Sequence, residues 1–302
     1  MKKSTILIYS LILTSLILHG LEIKLDRVND HVTLVRGIIR PGYTQNLIVF
    51  ATQKGLIAID TGFPLDVARK MKAAIVNKLG RDDFIYLINT HGHMDHSIGN
   101  QLYKKAVKIA HKNAGREMKM NVQHWNKKYF TKDFIITLPD ITFQKFLQVK
   151  VDNIILNLYY PGASHTDSHI LIHVPEHDIL CVGDCFHSKY PPYVDKNMDL
   201  AGMINTLEAL SGSISKETRV LPGHRKMFKG DYIMATLNYF KALYREVKGA
   251  LQQNLSLEKS KKAIFQKVSR QGLEHVIHWN EGKDVDEIFM ENIEAAWNVL
   301  KK

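Results

Sequence analysis

The segment Thr90–His96 reads THGHMDH and directly follows the apolar run Phe84–Ile88. Three histidines and one aspartate therefore stand together at the end of a segment that we predict to be a buried strand. Neutral imidazoles and carboxylates are ligands of zinc and related ions. In a tight loop, residues two apart can face the same way, so the first two histidines can reach one ion while the aspartate and the third histidine reach a second. The pattern predicts a metal site, and a purely structural zinc is the alternative.

Three further ligand-type side chains each follow a predicted strand within a turn of small residues. They are His165 in GASHTD, Asp184 in VGD and His224 in PGH. Strand ends are the usual place for sites in α/β proteins, so we expect these side chains to converge with the first motif. We interpret the other ten histidines as structural because they lack such a context; they include His111, His124, His169, His173 and His177.

Apolar runs and helical spacings alternate along the chain, which is typical of an α/β layer protein. Helices are predicted over Leu65–Leu79, which ends at Gly80, and over Ala114–Asn121, and apolar stripes after Gly230 predict C-terminal helices. Strands are predicted at Val32–Val35, Asn46–Phe50, Leu56–Ile59, Phe84–Ile88, Val107–Ala110, Phe134–Leu138, Phe146–Val149, Ile154–Tyr160, His169–Val174 and Ile179–Val182, with Val220-Leu221 as the last.

The first twenty residues predict a secretory signal peptide. Lys2 and Lys3 precede the apolar run Thr5–Leu18, which is shorter than the ~20 residues that a membrane span needs. An uncleaved anchor is the alternative. We therefore expect a periplasmic or secreted protein with no stable membrane insertion after cleavage. Two cysteines in 302 residues exclude a disulfide scaffold, and Cys181 and Cys185 are badly placed to bridge each other.

Composition is that of an ordinary globular protein, with a formal net charge of +11. Basic residues are concentrated in residues 101–150, which hold eleven Lys and Arg against three acidic residues. A basic wall beside the metal motif would favour an anionic small-molecule substrate. A solvated surface is the alternative, and the sequence favours it.

Taken in order, these motifs resemble the metallo-β-lactamase-fold superfamily. The matching elements are Asp60-Thr61-Gly62, Thr90–His96, His165-Thr166, Gly183-Asp184 and Pro222–His224. The resemblance implies a four-layer αβ/βα sandwich with extra C-terminal helices and the metals at one edge between two sheets. It divides the chain into residues 21–230 as this domain and residues 231–302 as a helical extension packed on it.

The resemblance also implies a site for two metal ions, and it assigns three ligands to each: His91, His93 and His165 to one, and Asp95, His96 and His224 to the other. Asp184 would bridge the two ions. Asp60 would steady the histidine loop. Asp95 would also act in catalysis by orienting a hydroxide held between the ions. Two Zn²⁺ are the implied cofactors, with iron or manganese as alternatives.

The resemblance narrows the chemistry to a metal-dependent hydrolase of an ester, thioester, lactone or amide. A β-lactamase of the Asp-containing kind, an iron-dependent enzyme similar to the persulfide dioxygenases and a non-catalytic metal-binding protein stay open as alternatives. An exported chain disfavours the nuclease branch, so we expect no nucleic-acid partner. The substrate-binding residues that we predict are Lys189, Tyr190, Tyr193 and Arg225.

Overall fold

The computed structural model describes residues 20–40, 43–124, 130, 133–187, 192–268 and 285–301. Its strands are β1 Glu22–Arg27, β2 Val32–Arg40, β3 Tyr43–Ala51, β4 Leu56–Ile59, β5 Phe84–Ile88, β6 Val107–His111, β7 Ile141–Phe143, β8 Phe146–Val151, β9 Ile154–Tyr159, β10 Leu171–Val174, β11 Ile179–Gly183, β12 Arg219–Pro222 and β13 Phe228–Lys229. Its α-helices are α1 Leu65–Leu79, α2 Met94–Ser97, α3 Ala114–His124, α4 Leu200–Ser213, α5 Tyr232–Gln252, α6 Leu257–Val268 and α7 Val285–Leu300.

The strands form two mixed sheets. The first sheet has the order β1-β2-β3-β4-β5-β6-β7, and the second has the order β13-β12-β11-β10-β9-β8. Strands β4 to β7 pair in parallel, as do β11 and β12, while the other pairs are antiparallel. Parallel neighbours end at the same edge, so the loops after β4, β5, β11 and β12 can supply side chains to one site.

Side chains alternate between two cores along each central strand. In β3, Ile48 and Phe50 pack between the two sheets, whereas Leu47 and Val49 pack against α1. A third core covers the outer face of the second sheet and contains side chains of α4, α5, α6 and α7. The layers are therefore helix, sheet, sheet and helices, which confirms the predicted αβ/βα sandwich with additional C-terminal helices.

Helix α1 follows directly from its sequence. Val67, Met71 and Ile75 recur at helical spacing and are buried against the first sheet. The helix ends at Gly80, whose φ of 66° lies in the left-handed region and whose N–H donates to Val76 O at 2.8 Å. Both predicted ends of this helix are confirmed.

Several predicted elements are wrong. Phe134–Leu138 is irregular rather than a strand, because Phe134 stacks on Phe130 and packs against the cluster of Phe63 and Met94 instead of pairing. Val220-Leu221 does not belong to the last strand, because β13 pairs with β12 after it. The sequence reading also missed β1, β7 and α4, of which β7 has only three residues.

Residues 1–19, which contain most of the predicted signal peptide, lie outside the described residues. Within the described part of the chain, none of the helices combines the length and apolar character that crossing a membrane requires. Cys181 and Cys185 are both free and buried.

Candidate metal centre

All seven predicted ligands lie at the adjoining edges of the two sheets, five of them in loops and Asp95 and His96 in the short helix α2. The loop after β5 carries the THGHMDH motif, and hydrogen bonds join it and the first sheet to the second sheet. Ile170 N–H donates to Thr90 O at 2.8 Å, and Asn46 Nδ2 donates to Pro222 O at 2.7 Å. Gly223 N–H donates to Gly183 O at 2.7 Å. These hydrogen bonds to backbone carbonyls hold the four ligand-bearing segments in one arrangement.

A first group consists of His91, His93 and His165, each of which offers a ring nitrogen within 4.8 Å of the other two. His165 Nε2 lies 3.3 Å from His93 Nδ1. His91 Nδ1 lies 3.0 Å from the Thr90 hydroxyl, so Nε2 is left to face the group. That Nε2 atom is buried and has no hydrogen-bond partner among the described residues. Converging ring nitrogens with one buried lone pair unpaired fit a metal ion.

A second group consists of Asp95, His96 and His224. His224 Nε2 lies 3.3 Å from Asp95 Oδ2, and His96 Nε2 lies 3.7 Å from Asp95 Oδ1. The outer nitrogens of both rings are already occupied, because His224 Nδ1 bonds to Thr44 O and His96 Nδ1 lies 2.9 Å from Asp60 Oδ2. Each Nε2 therefore points inward.

Asp184 lies between the two groups. Its Oδ2 atom is 3.1 Å from His224 Nε2, 3.4 Å from His96 Nε2 and 3.8 Å from His165 Nε2. Its Oδ1 atom is buried with no hydrogen-bond partner in the described structure. One carboxylate thus contacts ligands of both groups, which is the position that a bridging ligand would need.

Burial and neighbouring charges shift the pKa values of the ligand histidines in opposite directions. Burial lowers the pKa of His91 and of His165 well below the usual histidine value. Burial also acts to lower the pKa of His224, but Asp184 and Asp95 outweigh it and raise that pKa to about 10. In the metal-free protein His91 and His165 are therefore neutral, whereas His224 retains a proton beside the two carboxylates.

Asp60 organises both groups from behind. Its Oδ1 accepts the Thr90 N–H at 2.8 Å, and its Oδ2 accepts the Thr90 hydroxyl at 2.8 Å as well as facing His96 Nδ1. Its backbone has a φ of 59°, a conformation that few non-glycine residues adopt. The strained turn at the end of β4 therefore aims this carboxylate at the histidine loop.

Glu117 on α3 was missed by the sequence reading. Its Oε2 accepts hydrogen bonds from Gly92 N–H at 3.0 Å, from Thr166 Oγ1 at 3.1 Å and from Ser168 Oγ. Its Oε1 lies 3.5 Å from His93 Nε2. One carboxylate therefore joins the loops of all three histidines of the first group. No sequence motif identifies Glu117, and the only feature that the sequence offers is its place in the first turn of a predicted helix.

Two histidines interpreted as structural also lie beside the ligands. The His169 ring centroid is 5.4 Å from that of His91, and burial lowers its pKa to about 4. His187 borders the site, and burial lowers its pKa to about 3. His169 thus lies beside the site, although it is not a member of any of the three ligand groups. The sequence feature that could have indicated this position is that His169 follows His165 by four residues.

A cavity of about 360 Å³ opens onto the ligands, a size suited to a small molecule. Tyr193 and Arg225, two of the four residues predicted to bind substrate, line it together with Ile288 and Glu291 of α7. Arg225 adopts a φ of 74°, the second strained non-glycine residue at this site. The other two predicted substrate-binding residues, Lys189 and Tyr190, lie outside the described residues.

An αβ/βα sandwich with a cluster of histidines and aspartates at the adjoining sheet edges defines a metallo-β-lactamase fold. The chain belongs to the Metallo-beta-lactamase superfamily, whose sequence model matches residues 40–224. Members of this superfamily are in general hydrolytic enzymes.

Similar proteins agree with this assignment. The chain is 24% identical over 211 residues to "Metallo-beta-lactamase type 2" of Bacillus cereus, covering 65% of this chain and 73% of that protein. It is 24% identical over 167 residues to the protein of the same name from Elizabethkingia meningoseptica, covering 54% of this chain and only 62% of that protein. The structure of a metallo-beta-lactamase from Pontibacter korlensis superposes with a TM-score of 0.61 at 17% identity, covering 73% of this chain and 99% of that one. At that identity the structural likeness shows the fold.

Proposed function

We propose that the protein is an exported hydrolase that uses two metal ions, in the first instance Zn²⁺, to cleave an ester, thioester, lactone or amide bond. The observation that carries this proposal is the convergence of seven His and Asp side chains around buried atoms that have no hydrogen-bond partner in the described structure. These atoms are His91 Nε2, His96 Nε2 and Asp184 Oδ1. Residues 21–230 would form the catalytic domain and residues 231–302 the extension. Iron and manganese are alternative metals because His and Asp ligands do not discriminate between them.

The residues present fit the two ions. His91, His93 and His165 would hold one, Asp95, His96 and His224 the other, and Asp184 would contact both. When bound, the ions supply Lewis acidity and a water whose pKa is lowered toward neutrality. Such ions bind carboxylates in the ionised form, and they bind imidazoles whose other ring nitrogen is held by a hydrogen bond.

The protein's own groups would then position the reactants. The nearby rings of His96 and His224 hold the pKa of the Asp95 carboxyl below its usual range despite its burial. An ionised Asp95 can accept a hydrogen bond from the attacking water and fix its orientation. Tyr193 and Arg225 border the same cavity, so they can bind the part of the substrate that does not react. The proposed substrate carries an anionic group, because Arg225 is a cation in the cavity wall.

A β-lactamase is the second candidate, and the similarity to two proteins named metallo-beta-lactamase type 2 favours it. The β-lactam bond is a cyclic amide, so this candidate narrows the amide case of the first candidate to one ring. Comparison of a cephalosporin with the other substrates therefore separates the two.

The test is turnover by the zinc-loaded mature protein on a chromogenic cephalosporin, a lactone, an acyl thioester, an aryl ester and a phosphodiester. We expect chelator-sensitive hydrolysis of one class, lost in Asp95→Asn and in His93→Ala. His124→Ala is the matched control, because His124 is exposed and bonds to Met120 O of its own helix. Unchanged metal content and turnover in His93→Ala would refute the ligand assignment. The mass of the exported chain tests the predicted cleavage near residue 20.

A further inference from the structure

Helix α7 borders the metal centre although it lies far beyond the last ligand in sequence. Ile288 and Glu291 line the same cavity as Asp95, Asp184 and His224. Both residues stand outside residues 40–224, which match the superfamily. The C-terminal helix therefore adds a wall to the site from outside the residues that match the superfamily model.

The same helix holds the facing loop through Asn292. This side chain is 1% exposed, and its three hydrogen bonds all reach other elements. Its Oδ1 accepts the Val194 N–H at 3.0 Å, and its Nδ2 donates to Pro192 O at 2.6 Å. These two backbone groups flank Tyr193, whose side chain is 52% exposed and lines the cavity. A buried side-chain amide that hydrogen-bonds to the backbone before and after one residue fixes the backbone of that residue.

Helix α7 is itself held firmly. Asn292 Nδ2 also donates to the hydroxyl of Tyr239 on α5 at 3.0 Å. The Phe289 ring packs 5.4 Å from that of Tyr239, and Ile293 and Trp297 are buried in the core that covers the second sheet. The wall is thus attached to the sheet by apolar packing on one face and reaches the cavity with the other.

We infer that Asn292 is a positioning residue that holds Tyr193 in the cavity wall, and that Tyr193 is a substrate-contacting residue. Ile288 is 2% exposed and offers almost no surface to a ligand, whereas Tyr193 is 52% exposed. A substrate whose reacting bond lies at the metals would extend its remaining part along Tyr193. An aromatic ring binds apolar or aromatic groups, so this part of the substrate is of that class. The substrate half of this inference rests on the proposed function, whereas the positioning half does not.

Binding of simple thiols tests the substrate half without requiring turnover. Thiolates bind such metal ions through sulfur, so Co²⁺-loaded protein reports binding of ethanethiol and of phenylmethanethiol by its visible absorption. We expect phenylmethanethiol to bind about tenfold more tightly, as for partial burial of one ring. Tyr193→Ala and Asn292→Ala should each lose most of this preference while the Kd of ethanethiol stays unchanged.

Ile293→Ala is the matched control, because Ile293 is a buried isoleucine of the same helix that packs in the core and does not line the cavity. It should lower the melting temperature and keep the preference for the aromatic thiol. Equal affinity of the wild-type protein for the two thiols, or an equal loss of preference in Ile293→Ala, would overturn the substrate half.

Hydrogen exchange tests the positioning half on the full chain with or without metal. Asn292→Ala should accelerate exchange of the Val194 amide at least tenfold relative to Ile293→Ala, because only the former removes its acceptor. Asn292→Asp keeps an acceptor oxygen and should restore part of the protection. Unchanged protection at Val194 in Asn292→Ala would overturn this half. A protein that binds no Co²⁺ but shows the accelerated exchange would refute the proposed function and leave Asn292 as the positioning residue.

Discussion

Asp60 Oδ2 lies 2.9 Å from Nδ1 of His96, and the same carboxylate accepts both the N–H and the hydroxyl of Thr90. The Thr90 hydroxyl in turn lies 3.0 Å from Nδ1 of His91. One buried carboxylate therefore sets the orientation of a ring in each metal group. It acts directly on His96 and through a hydroxyl on His91.

Substitution Asp60→Asn should weaken zinc binding about 10- to 100-fold, the usual cost of losing a partner that orients a metal ligand. Asparagine tolerates the left-handed backbone at this position, so the loss would report on the carboxylate. Competition with a chromophoric chelator measures the affinity. The matched control is Asp178→Asn, because Asp178 also has a left-handed φ of 49° and bonds to a threonine hydroxyl at 2.7 Å. Equal zinc affinities in wild type and Asp60→Asn would contradict the orienting role.

Glu117 gives a second prediction about the first metal group. Glu117→Gln replaces one oxygen by an amide that donates, so the side chain can no longer both accept from Gly92 and Ser168 and present an acceptor to His93. We expect the purified variant to retain about one zinc per chain after exposure to a weak chelator, when the wild type retains two. Measured metal content checks this. Glu208→Gln on α4 is the control, because its carboxylate is exposed and pairs with Lys241. Retention of both ions in Glu117→Gln would show that the carboxylate is dispensable.

The parts of the fold and site that depend on residues close together in the chain could be predicted from the sequence. The THGHMDH motif follows a strand whose ends were both predicted, and α1 has the predicted ends because its apolar spacing and Gly80 are local signals. Glu117 and Asn292 could not be predicted, because their partners are distant in the chain. Asn292 meets a backbone group one hundred residues earlier. The strand predicted over Phe134–Leu138 was wrong for the same reason, because Phe134 packs on a cluster that is distant in sequence instead of pairing in a sheet.

Zinc binding should release protons at pH 8. Asp184 and Asp95 outweigh burial and raise the pKa of His224 to about 10, so this ring is protonated in the metal-free protein at that pH. A ligand must be neutral to bind zinc, so its proton must leave, and affinity should rise with pH up to that value. Calorimetric titrations in two buffers of different ionisation enthalpy measure the number released, and we expect about one or more per chain. A binding heat independent of the buffer would contradict the raised pKa.

The close approach of Gly223 in the PGH turn to Asp184 gives a further prediction. A Cβ atom on Gly223 would collide with Asp184 Oδ1 and lie 2.6 Å from His96 Cε1. Neither neighbour can yield easily, because His96 is held by Asp60 and Asp184 is surrounded by three histidine rings. Gly223→Ala should therefore displace the carboxylate that contacts both groups, lower zinc content to one or fewer per chain and reduce turnover at least 100-fold.

Gly212→Ala is the matched control for this change. Gly212 lies in α4 and has nothing within 4 Å of the added atom, so alanine should stabilise the helix by about 0.5–1 kcal/mol and leave both ions bound. Metal content and thermal unfolding of the two variants decide the matter. A Gly223→Ala protein with two zinc ions and wild-type turnover would mean that Asp184 does not occupy the position between the two groups that the proposed mechanism requires.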